Sequence, residues 1–541
     1  MKLKKISAVM LVMALAVPTL TTVPYVAGHA AETTAQTEKD TKAEKDTKAE
    51  KDTKAEKETK AAESDSKTDS KAAENAETKT PKYIFLFIGD GMSYPQIQAT
   101  ADYLGTTESK GEIESKALSF MNFPVAGTAQ TYDSTSFAPD SASTATSIST
   151  GNKTYSGTIN MDTTMTKKFE AISEKLKKQK DFKVGVVTTV NLNHATPAAF
   201  YAHQASRNSY YDIAKELTDS NFDYFAGGAL LDPTGEKEDQ KDAYKIAEEA
   251  GYKVIKTQEE AKKLKAEDGK ALVIAEHLAD ADAMSYDLDA AKDELSLKDY
   301  VQKGIEVLDN DTGFFMMVEG GKIDWACHAN DAGSAINDTE ALSNSVEAAV
   351  EFYKKHPDDT LILVTGDHET GGLTIGYAGT DYDTYLTNLT NQKISYAKFD
   401  SDYVAKYKEN KTDFKEVLKD IKANFGLMAK DDADATEDSK LVLTDYEYSR
   451  LEDAYKRTLE TGTAKKDGMS QEEYILYGTY EPLSVTITHI LNNKSGINFA
   501  SYAHTGLPVP VYAQGAGQEK FEGYYDNTDI YKNLAQLTGV K

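Results

Sequence analysis

Five continuous, mainly apolar runs constrain this chain more than any other feature, because three of them end at once in a carboxylate beside glycine. Residues 82–88 lead into Gly89-Asp90-Gly91, residues 314–318 into Glu319-Gly320-Gly321, and residues 360–365 into Gly366-Asp367-His368. Residues 183–189 and 271–274 are the other two runs. None alternates apolar with polar residues, so each predicts a strand buried on both faces, the habit of parallel sheets. Amphipathic helical patterns, such as 167–178 and 340–355, lie between them. This alternation predicts an α/β fold with a largely parallel sheet. In open α/β sheets ligands bind beyond the carboxyl ends of the strands, where the three carboxylates fall.

The chain has 541 residues, long enough for one large domain or a few smaller ones. It opens with Lys2, Lys4 and Lys5, an apolar stretch over 6–17, and then Pro18 and small residues to Ala30. That order predicts a signal peptide over 1–30, cleaved after Ala30, hence secretion with no membrane attachment after cleavage. No cysteine follows the apolar stretch, so a lipoprotein anchor is excluded. Residues 31–80 repeat the unit Ala-Glu-Lys-Asp-Thr-Lys and hold almost no large apolar side chain. Such a segment buries too little to offset its ordering entropy and reads as a solvated, disordered linker.

Residues 1–80 carry 14 lysines and 14 carboxylates, which cancel, so the net charge of −27 belongs wholly to 81–541. A nucleic acid or an anionic membrane surface as main partner is therefore not expected, since both need a cationic footprint. Cys327 is the only cysteine, which rules out an intrachain disulfide framework and zinc sites built from several cysteines. Residues 81–541 are read as one folded domain. Within it, 375–480 break the rhythm: they are polar, hold 12 of the 32 tyrosines and include the acidic stretch 431–438. They are expected to form an insertion or surface subdomain. The apolar runs at 483–491 and 508–513 are then expected as the last strands of the same sheet.

Candidate metal ligands fall in five places: Asp90; His194 and Thr196; Glu319, Asp324 and His328; Asp367 and His368; and His504. Asp324 and His328 are four residues apart, on one face of a helix. Singly, an Asp at a strand end is more often a helix cap, and a lone His more often a core or surface residue. Together, with glycines beside three of them, they point to a metal centre. Oxygen and nitrogen donors without thiolates suit Zn²⁺ where histidine is present and Mg²⁺ at an all-oxygen site. Cys327, between two ligands on the same helix, is expected to be a buried small residue rather than a ligand. Residues 309–313 resemble the start of a calcium loop, but position twelve is Gly320, so a turn before the next strand is expected.

Residues 139–146, Pro-Asp-Ser-Ala-Ser-Thr-Ala-Thr, are small residues entering a helix. Ser141 sits where backbone N–H groups and the helix dipole favour an anion. From these eight residues alone, a nucleophile and an N-cap serine stand as equal readings.

Taken in order, Gly89-Asp90-Gly91-Met92, Asp140-Ser141-Ala142, Ala195-Thr196-Pro197, Val318-Glu319-Gly320 with Asp324 and His328, residues 365–372 from Thr365-Gly366-Asp367-His368 to Gly371-Gly372, and His504-Thr505-Gly506 resemble the alkaline phosphatase family. The resemblance implies a three-layer α/β/α sandwich around a large, mostly parallel sheet, and a homodimer. It implies Ser141 as the nucleophile that becomes phosphoserine, and Arg207 as the grip on two phosphate oxygens. Asp324, His328 and His504 would hold one zinc, and Asp90, Asp367 and His368 a second. Asp90, Thr196 and Glu319 would hold a third, Mg²⁺-type ion. Two cations about 4 Å apart clamp the two apical oxygens of an in-line displacement. Two positions depart from one familiar bacterial pattern: His194 stands near the third site where some members have Asp, and Trp325 where some have Lys. The expected function is a secreted phosphomonoesterase acting on small phosphate esters. The alternatives are a phosphodiesterase or sulfatase of the same superfamily, or a non-catalytic displayed binding domain. The sulfatase pattern Cys/Ser-x-Pro-x-Arg does not fit Ser141-Ala-Ser-Thr-Ala.

Overall fold

The computed structural model describes residues 79–436, 439–460 and 469–541. The expected signal peptide and nearly all of the 31–80 linker lie outside the described residues. All five apolar runs are strands of one ten-stranded sheet. Its first eight strands are β1 (Tyr83–Gly89), β2 (Val125–Gln130), β3 (Lys183–Asn191), β4 (Tyr224–Gly228), β5 (Lys253–Ile255), β6 (Ala271–Ile274), β7 (Phe314–Gly320) and β8 (Thr360–Gly366). Four two-residue strands follow: β9 (Glu369–Thr370), β10 (Thr374–Ile375), β11 (Ile497–Asn498) and β12 (His504–Thr505). They form two small antiparallel pairs, β9 with β12 and β10 with β11. The sheet is completed by β13 (Val509–Gly515) and β14 (Gly523–Asp526), in the order β14-β2-β13-β8-β1-β7-β3-β4-β6-β5. Every neighbouring pair is parallel except the two that β13 makes, with β2 and with β8.

The unbroken runs follow from the layering. Along β1, Ile84, Leu86 and Ile88 enter one core with Val186, Phe315 and Leu363. Tyr83, Phe85 and Phe87 enter the opposite core with Phe314, Met316 and Val364. The helices Ser141–Thr150, Ile172–Lys180 and Thr528–Thr538 cover the first face. The helices Leu297–Leu308 and Ala332–Tyr353 cover the second. A strand whose two faces are both covered has no polar side to alternate with.

One expectation is corrected. Residues 483–491 are not a strand; they lie in the helix Pro482–Ser495. Leu483, Ile487, Ile490 and Leu491 recur at i, i+4, i+7 and i+8, and Pro482 sits in the first turn, where its missing N–H costs nothing. The run looks continuous because nearly every side of the helix is buried. Residues 508–513 do return to the sheet, as β13. Those four side chains join Leu386, Phe399, Tyr407, Val417, Ile421 and Leu451 in a third core. The stretch 375–480 thus carries apolar packing of its own, and Ala99 and Ile336 seam it to the rest. Before β7, Asn310 Oδ1 accepts from Thr312 N (2.8 Å) and Gly313 N (3.0 Å), the expected turn.

Candidate metal centre

Sheet register brings the strand-end carboxylates together. Gly89 of β1 pairs with Gly366 of β8, so Asp90 and Asp367 leave adjacent strands at the same level. Ile88 pairs with Glu319 of β7 on the other side. Asp90, Glu319, Asp367 and His368 have no solvent exposure. The next turn must be glycine. Gly91 has φ of +71°, and a Cβ there would lie 2.8 Å from the Asp324 Cα and 2.9 Å from the Thr370 Oγ1. That gap lets the short helix Lys322–His328 lie directly against the strand ends.

Three ligand groups result, each with one donor atom per residue within 4.8 Å of the others. Asp324, His328 and His504 form the first. The His328 Nε2 is 3.4 Å from Asp324 Oδ2, and the His504 Nε2 is 3.6 Å from Asp324 Oδ1. The His328 Nδ1 lies 2.6 Å from the Tyr502 carbonyl, and the His504 Nδ1 lies 2.5 Å from the Pro139 carbonyl. Each Nδ1 therefore carries a proton, and each Nε2 is turned toward Asp324. The two Nε2 atoms stand 3.0 Å apart, an arrangement that calls for a positive charge between them. Asp90, Asp367 and His368 form the second group, with His368 Nε2 at 3.3 Å from both Asp90 Oδ1 and Asp367 Oδ2. Asp367 is aimed by Gly91 N (3.2 Å), His368 N (2.8 Å) and Thr144 Oγ1 (3.1 Å).

The third group is Asp90, His194 and Glu319. Asp90 Oδ1, His194 Nδ1 and Glu319 Oε1 are all buried without a hydrogen-bond partner. Buried polar atoms are rarely left so, and one on each of three residues grouped this closely fits a cation. His194, expected beside this site, is one of its three grouped residues. Thr196 Oγ1 lies 3.4 Å from Asp90 Oδ2. Thr188, which no motif marks at the end of its apolar run, donates to Glu319.

Ser141 opens the helix Ser141–Thr150, but it is not the cap. Asp140 is, accepting from Ser143 N at 3.1 Å. The Ser141 hydroxyl is free to face the ligand groups, with its Oγ 3.2 Å from His368 Nε2. Arg207 reaches the same corner: Nη1 is 3.0 Å from Asp140 Oδ2, and Nη2 is 3.2 Å from His194 Nε2. The half-buried Trp325 meets the His194 ring edge-on at 5.9 Å. Lys322, fully buried and paired with Asp280 at 2.6 Å, lies 4.7 Å from the Trp325 ring centre. Cys327 is buried in the core and belongs to none of the three groups.

Without cations the pocket is electrostatically frustrated. Burial, with Asp367 and Asp324 nearby, pushes the Asp90 carboxyl well above its ordinary range. Burial drives Glu319 up to about 8 and Asp367 up to about 7. Burial also penalises Asp324 and His328, yet their mutual attraction outweighs it, holding Asp324 well below the usual range and raising His328. Burial lowers His368 to about 4, and His194 and His504 to about 3, so all three stay neutral. Neutral imidazoles beside crowded carboxylates are the protonation state a divalent cation needs.

The comparisons agree with this geometry. The family model described as alkaline phosphatase matches residues 81–540. Alkaline phosphatase 4 of Bacillus subtilis is 31% identical over 472 residues, 86% of this chain and 90% of that protein. Alkaline phosphatase 3 of the same organism is 31% identical over 84% of this chain and 88% of that one. The crystal structure of a cold-active alkaline phosphatase from a psychrophilic Shewanella species superposes with a TM-score of 0.67 at 27% identity. It covers 84% of this chain and 99% of that one. The Thermus thermophilus alkaline phosphatase structure shares the fold at a TM-score of 0.68 and 23% identity, over 86% and 92% of the two chains. With the family matched from the first strand to the last helix, this chain belongs to the alkaline phosphatase family.

Proposed function

We propose that this phosphomonoesterase works through a phosphoserine at Ser141 with two Zn²⁺ and one Mg²⁺ bound. The observation that carries this is the convergence of three ligand groups on the corner where Ser141 and Arg207 meet. Asp324, His328 and His504 would hold one zinc; Asp90, Asp367 and His368 the other. Asp90, Glu319 and Thr196, with His194 beside them, would hold the third ion. Bound there, the cations supply Lewis acidity to the phosphoryl oxygens and neutralise charge as it develops.

The chain's own residues supply position. Ser141, in the first turn of its helix, presents Oγ to phosphorus at an end that favours anions. Arg207 grips two non-bridging oxygens through its planar fork, which Asp140 holds in place. Asp140 also caps the Ser141 helix, so one carboxylate sets both nucleophile and clamp. The Ser141 Oγ–P bond forms as the ester P–O bond breaks, releasing the alcohol. Water then displaces Ser141 from phosphorus and inorganic phosphate leaves; two inversions give net retention. The leader at 1–30 supports export. Among the described residues no helix is long and apolar enough to cross a membrane.

The test is steady-state hydrolysis of p-nitrophenyl phosphate, its bis-ester and its sulfate analogue by the purified full chain. It is run with zinc and magnesium, after chelation, and with Ser141→Ala. Monoester preference, loss on chelation and collapse in the variant are expected. Diester or sulfate preference, or no activity with metals restored, overturns the reading.

A further inference from the structure

The carbonyl that aims His328 sits on a segment with little regular structure. Residues 499–503 join β11 to β12, and Tyr502 within them accepts from the His328 Nδ1. The Tyr502 hydroxyl donates to Leu476 O (2.7 Å) and its ring packs on Tyr480 and His489, while besides His328 two residues bond the backbone of this segment. Gly371 O accepts from Ala500 N (2.9 Å) and Ser501 N (3.0 Å), and Gly371 N donates to Ala503 O (2.9 Å). The other is Asn330, whose Nδ2 donates to both Ser501 O (2.8 Å) and Cys327 O (2.9 Å). A single amide thus ties the end of the ligand helix Lys322–His328 to the residue before Tyr502.

Asn330 is itself locked. It is 3% exposed and takes the left-handed backbone at φ of +51°. Its Oδ1 accepts from His489 Nε2 (3.0 Å), and its own carbonyl accepts from Asn492 Nδ2 (2.7 Å). Both partners lie on the helix Pro482–Ser495, which packs in the third core. Asparagine and glycine tolerate this backbone best, and of the two only asparagine carries a forked donor.

We propose that Asn330 is a positioning residue for the Asp324–His328–His504 cation site. Its amide sets the Tyr502 carbonyl against His328 and, through the same segment, the approach of His504. The inference rests on the metal reading above. It requires that cation affinity at this site depend on Asn330, while the Asp90–Asp367–His368 site does not.

Zinc is titrated into the metal-stripped full chain in competition with a chelator, and Co²⁺ absorption spectra report the coordination. Asn330→Gly keeps the left-handed backbone and deletes the amide. It is expected to weaken one zinc site per chain about tenfold, the low end of the cost of losing a ligand's own outer-shell partner, because Asn330 acts through the Tyr502 carbonyl. The other site should be unchanged, and excess zinc should restore kcat. Unchanged affinity at both sites overturns the proposal. So does parallel weakening of both sites with a lowered Tm, which would make Asn330 merely structural. Should Asn330→Gly fail to fold, Asn492→Ala removes one of its anchors, and a smaller weakening confined to the same site is expected; no change there overturns the proposal. A wild-type chain that binds no zinc sinks the metal reading and this inference together, whereas normal wild-type binding with an unaffected variant sinks only the inference.

Discussion

Two ligand groups share one site on unequal foundations. Asp90, Asp367 and His368 issue from β1 and β8, central strands whose register is fixed along seven paired residues, and their side chains are fully buried. Asp324, His328 and His504 sit on a seven-residue helix and a two-residue strand, and the two histidine side chains keep 25% and 13% exposure. The first group inherits its geometry from a sheet that cannot slip without turning its core residues out. The second is assembled from backbone carbonyls, a threonine and an amide. Thr370 bridges the two, donating to Asp324 Oδ1 while lying 3.3 Å from the His368 Nδ1. Precision in one catalytic site can therefore come from sheet register or from side-chain staples, and the stapled half is the easier to perturb.

The strongest way to break this comparison is to remove one carboxylate from each group. Asp367→Ala should cut kcat/KM by about a thousandfold or more, with no recovery in added zinc, since several kcal/mol of charge stabilisation are lost. Asp324→Ala should lose less and regain part of its rate in excess zinc. Equal, unrecoverable losses in a zinc-dependence series would erase the distinction. Next in size, Phe87→Ala in β1 should cost about 3–5 kcal/mol in denaturant unfolding, because it hollows the core beneath the strand-end group. A cost under about 1 kcal/mol would mean that the register does not rest on that packing.

A third prediction concerns pH. Asp367 at about 7 and Glu319 at about 8 are both raised above the unfolded carboxylate values near 4. Below about 6.5 the three histidines held at about 3 to about 4 offset this, because they bind fewer protons folded than unfolded. Above it the raised carboxylates alone keep extra protons on the folded, metal-free chain, so stability falls as pH rises from about 6.5 to about 8. Saturating cations should remove that slope in thermal melts, and a metal-free Tm that rises over this window would contradict it. The smallest effect is expected at Trp325. Trp325→Lys places an ammonium beside the phosphate corner and should tighten inhibition by inorganic phosphate roughly tenfold or less. Unchanged inhibition would place Trp325 outside the phosphate's reach.

Much of the fold was legible because fully buried parallel strands read as unbroken apolar runs. The site was legible for a related reason: glycine and carboxylate at a strand's carboxyl end are visible without knowing which strands adjoin. The same signal misleads at 483–491, where an apolar run is equally a helix buried on most sides; only the third core decides between them. β2, β4, β5 and β14 gave no comparable signal, being short, at or toward the sheet edges, or mixed in exposure.

By itself the sequence determined the layered α/β architecture, the edge where chemistry occurs and the residue types gathered there, because burial pattern and turn chemistry are local properties. Tertiary structure alone decided that His194 joins Asp90 and Glu319, that Asp140 serves both Ser141 and Arg207, and that Tyr502 aims His328 from 174 residues away. Those contacts depend on which segments the packed cores bring side by side, and no local pattern encodes a distance between side chains that far apart in the chain.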